Sequence, residues 1–350
     1  MKPKYFFLSI FISVLTLASC SKNDAEENEG EGETISTSEP IVIKSAVSNG
    51  AVEGNNADGK ESEDLLENST FASVVKIKFA NGSASIENSV AGVSISNNGA
   101  DVIVQSTATG VLYELSGSTT DGSLKLYSDK KFELLLNNVS ISNNDGPAIN
   151  IQSSKRVFLV LEDGTTNNLQ DGTTYASNET EDQKGTLFSE GQLLFSGNGS
   201  LQVTGNNKHA IVSDDYVRIS SGTISVLKAA SDGIHSNDGI FVDGGVITVN
   251  AESDGLEAEE GGIIVNDGTI TVKVVDDGIV ASYEGEDSTI DPFVTINGGE
   301  IQIETSGEGG EGIESKSIMT INGGNIYVKA IDDAINAGKA IYQFRKRGRI

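Results

Sequence analysis

The sequence predicts an all-β chain wound as a parallel β-helix, and three observations carry that reading. Short marks recur along the second half of the chain: His209-Ala210-Ile211, Asp232-Gly233-Ile234, Asp254-Gly255-Leu256, Asp277-Gly278-Ile279, Glu311-Gly312-Ile313 and Asp333-Ala334-Ile335. Their apolar residues are 23, 22, 23, 34 and 22 positions apart. Between the marks lie paired segments of alternating apolar and polar residues around Gly-containing turns, as in Ile240 to Val249, Ile263 to Val272, Val294 to Ile303 and Ile318 to Val328. Composition agrees, because Gly 40 with Phe 12, Tyr 8 and Trp 0 suits many short strands and tight turns better than helices.

A period of this size, divided into three short strands, lets each coil pass once around a solenoid and stack on the one before. Neighbouring coils would then be about 4.8 Å apart. Leucine-rich repeats share the period, but their leucine-asparagine pattern is missing; the nine-residue calcium roll is excluded by the period itself. The interval of 34 contains Tyr283-Glu284-Gly285-Glu286-Asp287-Ser288, which reads as a loop inserted into one coil. Phe188 precedes Ile211 by one period, and Gly146-Pro147-Ala148-Ile149-Asn150-Ile151 marks the coil before, across an insertion rich in Asn, Thr and Asp. Val74 to Phe79, Val102 to Gln105 and Phe132 to Leu136 read as earlier strands.

Residues 1–19 combine a basic start (Met-Lys-Pro-Lys), an apolar run from Tyr5 to Leu17 and small residues before Cys20. The run is shorter than the roughly 20 residues of a membrane-spanning helix. It resembles a bacterial lipoprotein signal peptide, with the chain's single cysteine where the lipobox requires it, so Cys20 is expected to be acylated and to anchor the mature chain in a membrane. Ser21 to Glu27 is similar to the acidic tag of lipoproteins exported to the outer-membrane surface, which places the protein there as an expectation. Residues 24–67 hold 13 acidic and two basic residues and read as part of a disordered acidic tether over 20–67. The β-helix is assigned to 68–338. Residues 339–350 carry five basic residues and no acidic one, where a further coil with a Gly-Gly turn would be expected; they read as a basic cap or as a truncated coil that leaves an open β edge.

The formal net charge is -27, with Asp+Glu 51 against Lys+Arg 24. No basic face is available to follow a phosphate backbone, which excludes nucleic acid as a partner. One cysteine excludes an internal disulfide framework.

The order of Tyr113 to Gly122, Phe132 to Ile141, Asp145-Gly146-Pro147-Ala148-Ile149 and Leu161 to Leu169, followed by the Asp-Gly-Ile and Asn-Gly-Gly repeats, resembles a bacterial carbohydrate-binding β-helix family related in fold to pectate lyases. The resemblance spans about residues 99–340. It implies a right-handed parallel β-helix, secreted or surface-bound, that binds calcium and acidic or cellulosic polysaccharide and has no established catalytic residues.

The residues support such chemistry on their own terms. Asp232, Asp254, Asp277, Glu311 and Asp333 hold one position of the repeat, so stacking brings their carboxylates one coil apart. Two unit charges at about 5 Å repel by about 3 kcal/mol at an effective dielectric near 20, and Asp276 and Asp332 add to the crowd. Ca2+, a hard cation with 6–8 oxygen ligands, is the natural neutraliser, with Glu257 three residues after Asp254 as a further ligand. The doubled acids at 276–277 and 332–333 are the best-placed. Asp-Gly pairs are also common turn chemistry, and carboxylate ladders can bond backbone amides without metal. Lys228, Lys273 and Lys329, four residues before column positions, could receive a uronate, with Tyr283 as a stacking candidate; with a lowered pKa one of these lysines would be the base of a calcium-dependent lyase. His209 and His235, the only histidines, lack Cys partners and His-x-x-x-His spacing, so they do not read as a zinc site, and His235 is expected to face outward. The reading is therefore a non-catalytic, calcium-dependent binder of acidic polysaccharide, with a uronate lyase and an adhesin or spacer as alternatives.

Overall fold

The computed structural model describes residues 41–44, 58–177 and 180–343; Cys20 and the basic residues from 345 lie outside this range. The chain forms a parallel β-solenoid of about ten turns with almost no helix, as the repeat requires. Each regular coil holds three strands, for example Ile234–Ser236, Gly239–Val242 and Val246–Ala251, followed in register by Leu256–Ala258, Gly262–Val265 and Thr269–Val274. Among the described residues no helix is long and apolar enough to cross a membrane.

Register explains the core. A parallel stack that repeats every coil places like residues over like, and the inward positions form continuous files: Ile211, Ile234, Leu256, Ile279 and Ile313 in one wall, Ile224, Ile247, Ile270, Ile301 and Ile326 in another. All are essentially inaccessible to water. β-branched side chains suit such files because they are stiff at χ1 and pack against their copies above and below. The inserted loop falls where expected, between Ile279–Ala281 and Val294–Ile296, and the coil rejoins its register on both sides.

The ends of the solenoid depart from the repeat. Near the N-terminus Ser73–Ala80 turns back on Ser83–Glu87, and Val93–Asn98 pairs antiparallel with Asp101–Ser106. The first reversal uses Asn81 and Gly82, both with positive φ (43° and 75°), the backbone that a two-residue hairpin turn demands. At the other end, Ile41–Lys44 pairs antiparallel with Asn325–Lys329 and so covers a strand edge.

The tether reading therefore fails for two pieces. Ile41–Lys44 is a strand, since its apolar run and an unpaired edge supply what the surrounding acidic sequence lacks. Residues 58–68 lie against the outside of the coils, with 3-10 turns at Ser62–Asp64 and Leu66–Asn68. The anchor is Asp64, a carboxylate with no exposed side-chain surface, which accepts from Arg156 Nε (2.9 Å) and Tyr216 Oη (2.6 Å) and pairs with Arg218 Nε (2.9 Å). Arg218 also pairs with Asp243 (2.6 Å), donates to the Gly59 carbonyl and lies over the Phe241 ring (4.7 Å). Asn266 donates to the Asp58 carbonyl (2.7 Å). The strap thus runs across several coils against the direction of the repeat. Composition concealed it because the charges that suggest disorder here face two arginines, Arg218 buried and Arg156 half-buried.

Removing Asp64 leaves the buried Arg218 short of a counter-charge, a loss of about 3 kcal/mol. Asp64→Ala is expected to lower the denaturant midpoint while leaving the far-ultraviolet β signal intact, measured by urea titration followed by circular dichroism.

Candidate functional site

The repeated Asp-Gly marks sit at the corner just before the short strands Ile234–Ser236, Leu256–Ala258, Ile279–Ala281 and Ile313–Ser315. The glycine serves close packing: a Cβ on Gly233 would lie 2.2 Å from Val249 Cγ1, and one on Gly278 would lie 2.3 Å from Ile303 Cγ2. The acid beside it therefore keeps the same pose from coil to coil.

The carboxylates form a directed ladder. The Asp254 amide donates to Asp232 Oδ1 (3.2 Å), the Asp277 amide to Asp254 Oδ1 (2.8 Å) and the Glu311 amide to Asp277 Oδ1 (2.8 Å). Backbone bonds run alongside, from Gly233, Gly255 and Gly278 to the carbonyls of Asp254, Asp277 and Glu311. Amide bonding and cation binding are thus compatible, because each Asp spends one oxygen on the next coil and retains the other.

That second row of oxygens is crowded. Asp232, Asp254 and Glu257 bring ligand atoms within 4.8 Å of one another, as do Asp254, Asp276 and Asp277, and again Asp277, Glu311 and Glu314. Burial, then the charge of Asp232, pushes Asp254 up to about 7. Burial, then the contact with Glu311, pushes Asp277 up to about 8. Asp232 goes the other way: burial would raise it, but bonds from His209 and His235 outweigh that and hold it well below the carboxylate range.

The candidate residues are not all brought together. Asp276 is exposed beside the buried Asp277, while Asp332 and Asp333 are both exposed and, among the described residues, join no such group. Lys228 and Lys273 are exposed and line one groove of about 350 Å³ with Leu227, Asn250 and Val275. Lys329 pairs with Glu304, which raises its pKa through a hydrogen bond and charge, the opposite of what a basic catalyst needs. Tyr283 stays within its inserted loop, its hydroxyl accepting the Asp287 amide (3.1 Å).

Two residues were misjudged or missed. His235 is not outward-facing: it is 7% exposed, with Nδ1 3.2 Å from Asp232 Oδ2 and 2.9 Å from Glu257 Oε2. Glu314, buried beside Asp277 and Glu311, bonds Lys316 (2.9 Å) and Asn336 (2.9 Å). The signal for both was the spacing that singled out Glu257: three residues after Asp232 is His235, and three after Glu311 is Glu314. Register aligns His235, Glu257, Val280, Glu314 and Asn336 in one file.

Residues 98–344 match the carbohydrate-binding domain-containing protein family. A carbohydrate-binding domain-containing protein of Acetivibrio thermocellus is 32% identical over 155 residues, which cover 43% of this chain and 52% of that protein. The match therefore spans about half the length of that curated relative. A solved structure of a polysaccharide lyase-like protein from C. thermocellum, a gadolinium derivative, superposes with a TM-score of 0.58 at 24% identity, covering 77% of this chain and 96% of the other. This likeness is one of fold.

Asp254 and Asp277 bind protons more tightly folded than unfolded, so the metal-free native chain holds the extra protons between about pH 4 and 8 and loses stability as pH rises through that window. His235, raised to about 10 by its bonds to Asp232 and Glu257 against the effect of burial, adds a loss in the same direction above its unfolded value of 6.5. The melting temperature in chelator is therefore expected to be lower near pH 8.5 than near pH 5.5. Replacing both Asp254 and Asp277 by Asn should flatten that slope in a calorimetric pH series.

Proposed function

The chain belongs to the carbohydrate-binding domain-containing protein family, and on that premise we propose that it binds acidic polysaccharide through calcium without cleaving it. The observation that carries the reading is the row of carboxylate oxygens left over by the amide ladder. Asp254, Asp276 and Asp277 form one all-oxygen group and Asp277, Glu311 and Glu314 a second, and calcium accepts such ligands in flexible geometry. Elevated proton affinity at Asp254 and Asp277 has the same origin as affinity for a cation: too much negative charge in a half-buried place.

A chain with formal net charge -27 repels a uronate polymer unless cations intervene. A calcium ion held by column oxygens supplies the missing attraction, since a sugar carboxylate can complete its coordination. Lys228 and Lys273, in the groove before the column, would take further carboxylates, while Leu227 and Val275 offer apolar surface to a sugar ring. On this reading the Cys20 anchor holds the domain at the outer-membrane surface, where it meets extracellular glycan.

Titration calorimetry of calcium into the chain, followed by polygalacturonate, tests the proposal. Calcium uptake and calcium-dependent glycan binding are expected, with both reduced at least about tenfold by Asp254→Asn with Asp277→Asn and glycan binding weakened by salt. Binding of polygalacturonate unchanged in chelator would overturn the calcium bridge. No unsaturated sugar should accumulate on prolonged incubation with calcium; its appearance would favour the lyase alternative.

A further inference from the structure

At its N-terminal end the column changes chemistry, and this change is not used by the calcium reading. The repeat position that holds Asp or Glu in later coils holds His209 here, and the file that holds Glu257 and Glu314 holds His235 one coil earlier. The chain's two histidines, 26 positions apart in sequence, thus meet on adjacent coils. Their rings stack with centroids 4.5 Å apart. Both Nδ1 atoms turn to one carboxylate oxygen, Asp232 Oδ2, at 2.7 Å from His209 and 3.2 Å from His235.

We propose that His209, Asp232 and His235 form a distinct three-ligand site for a borderline transition-metal ion such as zinc, with water in the fourth position. Asp232 Oδ1 is already tied to the Asp254 amide (3.2 Å), which fixes the aim of Oδ2 into the histidine pair. Glu257 Oε2 reaches His235 Nδ1 (2.9 Å), while its other oxygen accepts the Ser282 hydroxyl (2.7 Å). Glu259 Oε2 stands 3.4 Å from His235 Nε2. A carboxylate on that side places the ring proton on Nε2 and leaves the Nδ1 lone pair for a metal, the outer partner that metal-bound histidines regularly have.

The spacing suits the ion. Ligand atoms held about 2.0–2.2 Å from a tetrahedral zinc lie about 3.3–3.5 Å from one another; Asp232 Oδ2 is 2.7 Å from His209 Nδ1 and 3.2 Å from His235 Nδ1, and the three ligand atoms all lie within 4.8 Å of one another, so small side-chain shifts admit the ion. Two imidazole nitrogens with a carboxylate favour zinc over calcium, whose preference is for oxygen alone. A cavity of about 490 Å³, bordered by Lys184, Lys208 and Glu259 as well as these ligands, gives access.

The test uses the full chain, stripped with chelator and dialysed against zinc with calcium in large excess. One equivalent of zinc should be retained, and cobalt(II) at the same site should give the intense visible absorption of a four-coordinate ion. His209→Ala combined with His235→Gln should weaken zinc retention by more than about 100-fold while calcium uptake is unchanged. His235→Gln alone, which keeps a polar side chain of similar reach, should also lose affinity with an unaltered β signal. Asp254→Asn with Asp277→Asn should leave zinc in place. Displacement of zinc by calcium, or equal retention by the histidine variants, overturns the site. Absence of calcium uptake by the unmodified chain would instead count against the calcium column, and the zinc measurement would still decide this proposal.

Discussion

In-register stacking is the constraint on which the molecule depends. A parallel solenoid sets each side chain over its counterpart one coil away, so every position of the repeat is tested against itself. For isoleucine and valine this is favourable, and the interior becomes files of apolar, largely β-branched residues. For a carboxylate it is costly, because like charges are held at coil spacing. The same rule that builds the core therefore crowds charge along this column, and the molecule relieves it in stages: an amide for one oxygen of Asp232, Asp254 and Asp277, histidine nitrogen at Asp232, and lysine at Glu314.

The solenoid and its column were legible because both are periodic. The marks at 234, 256, 279 and 313 align in the structure as they do in the sequence, and the loop after Tyr283 falls between strands without disturbing register. What was not legible arises where periodicity stops. Asp332 and Asp333 look equivalent to Asp276 and Asp277 in a linear reading, yet among the described residues no coil covers them and both are exposed. His235 was judged by its neighbour Ile234 rather than by the coils on either side, although its partners Asp232 and Glu257 come from a spacing rule already evident at Asp254. Asp64 gave no local sign at all, since its partners Arg156, Tyr216 and Arg218 are distant in sequence and lie on different coils.

Position along the axis also sorts the ionisable groups. Asp232 is held ionised by two histidines, whereas Asp254 and Asp277, in the same pose one and two coils on, are driven towards the neutral form. Equivalent backbone geometry thus yields carboxylates of opposite character, and the difference lies in what the adjoining coil offers rather than in the residue itself.

The strap has a bearing on the order of assembly. Coils can stack one after another as the chain emerges, each needing only its predecessor, but residues 58–64 dock on Arg156, Arg218, Asp243 and Asn266, and Ile41–Lys44 pairs with Asn325–Lys329. The segment made early must therefore wait for partners made late. Closure of these contacts reports that the coils they touch have stacked, and a solenoid that grows by local additions gains a long-range fastening across its turns.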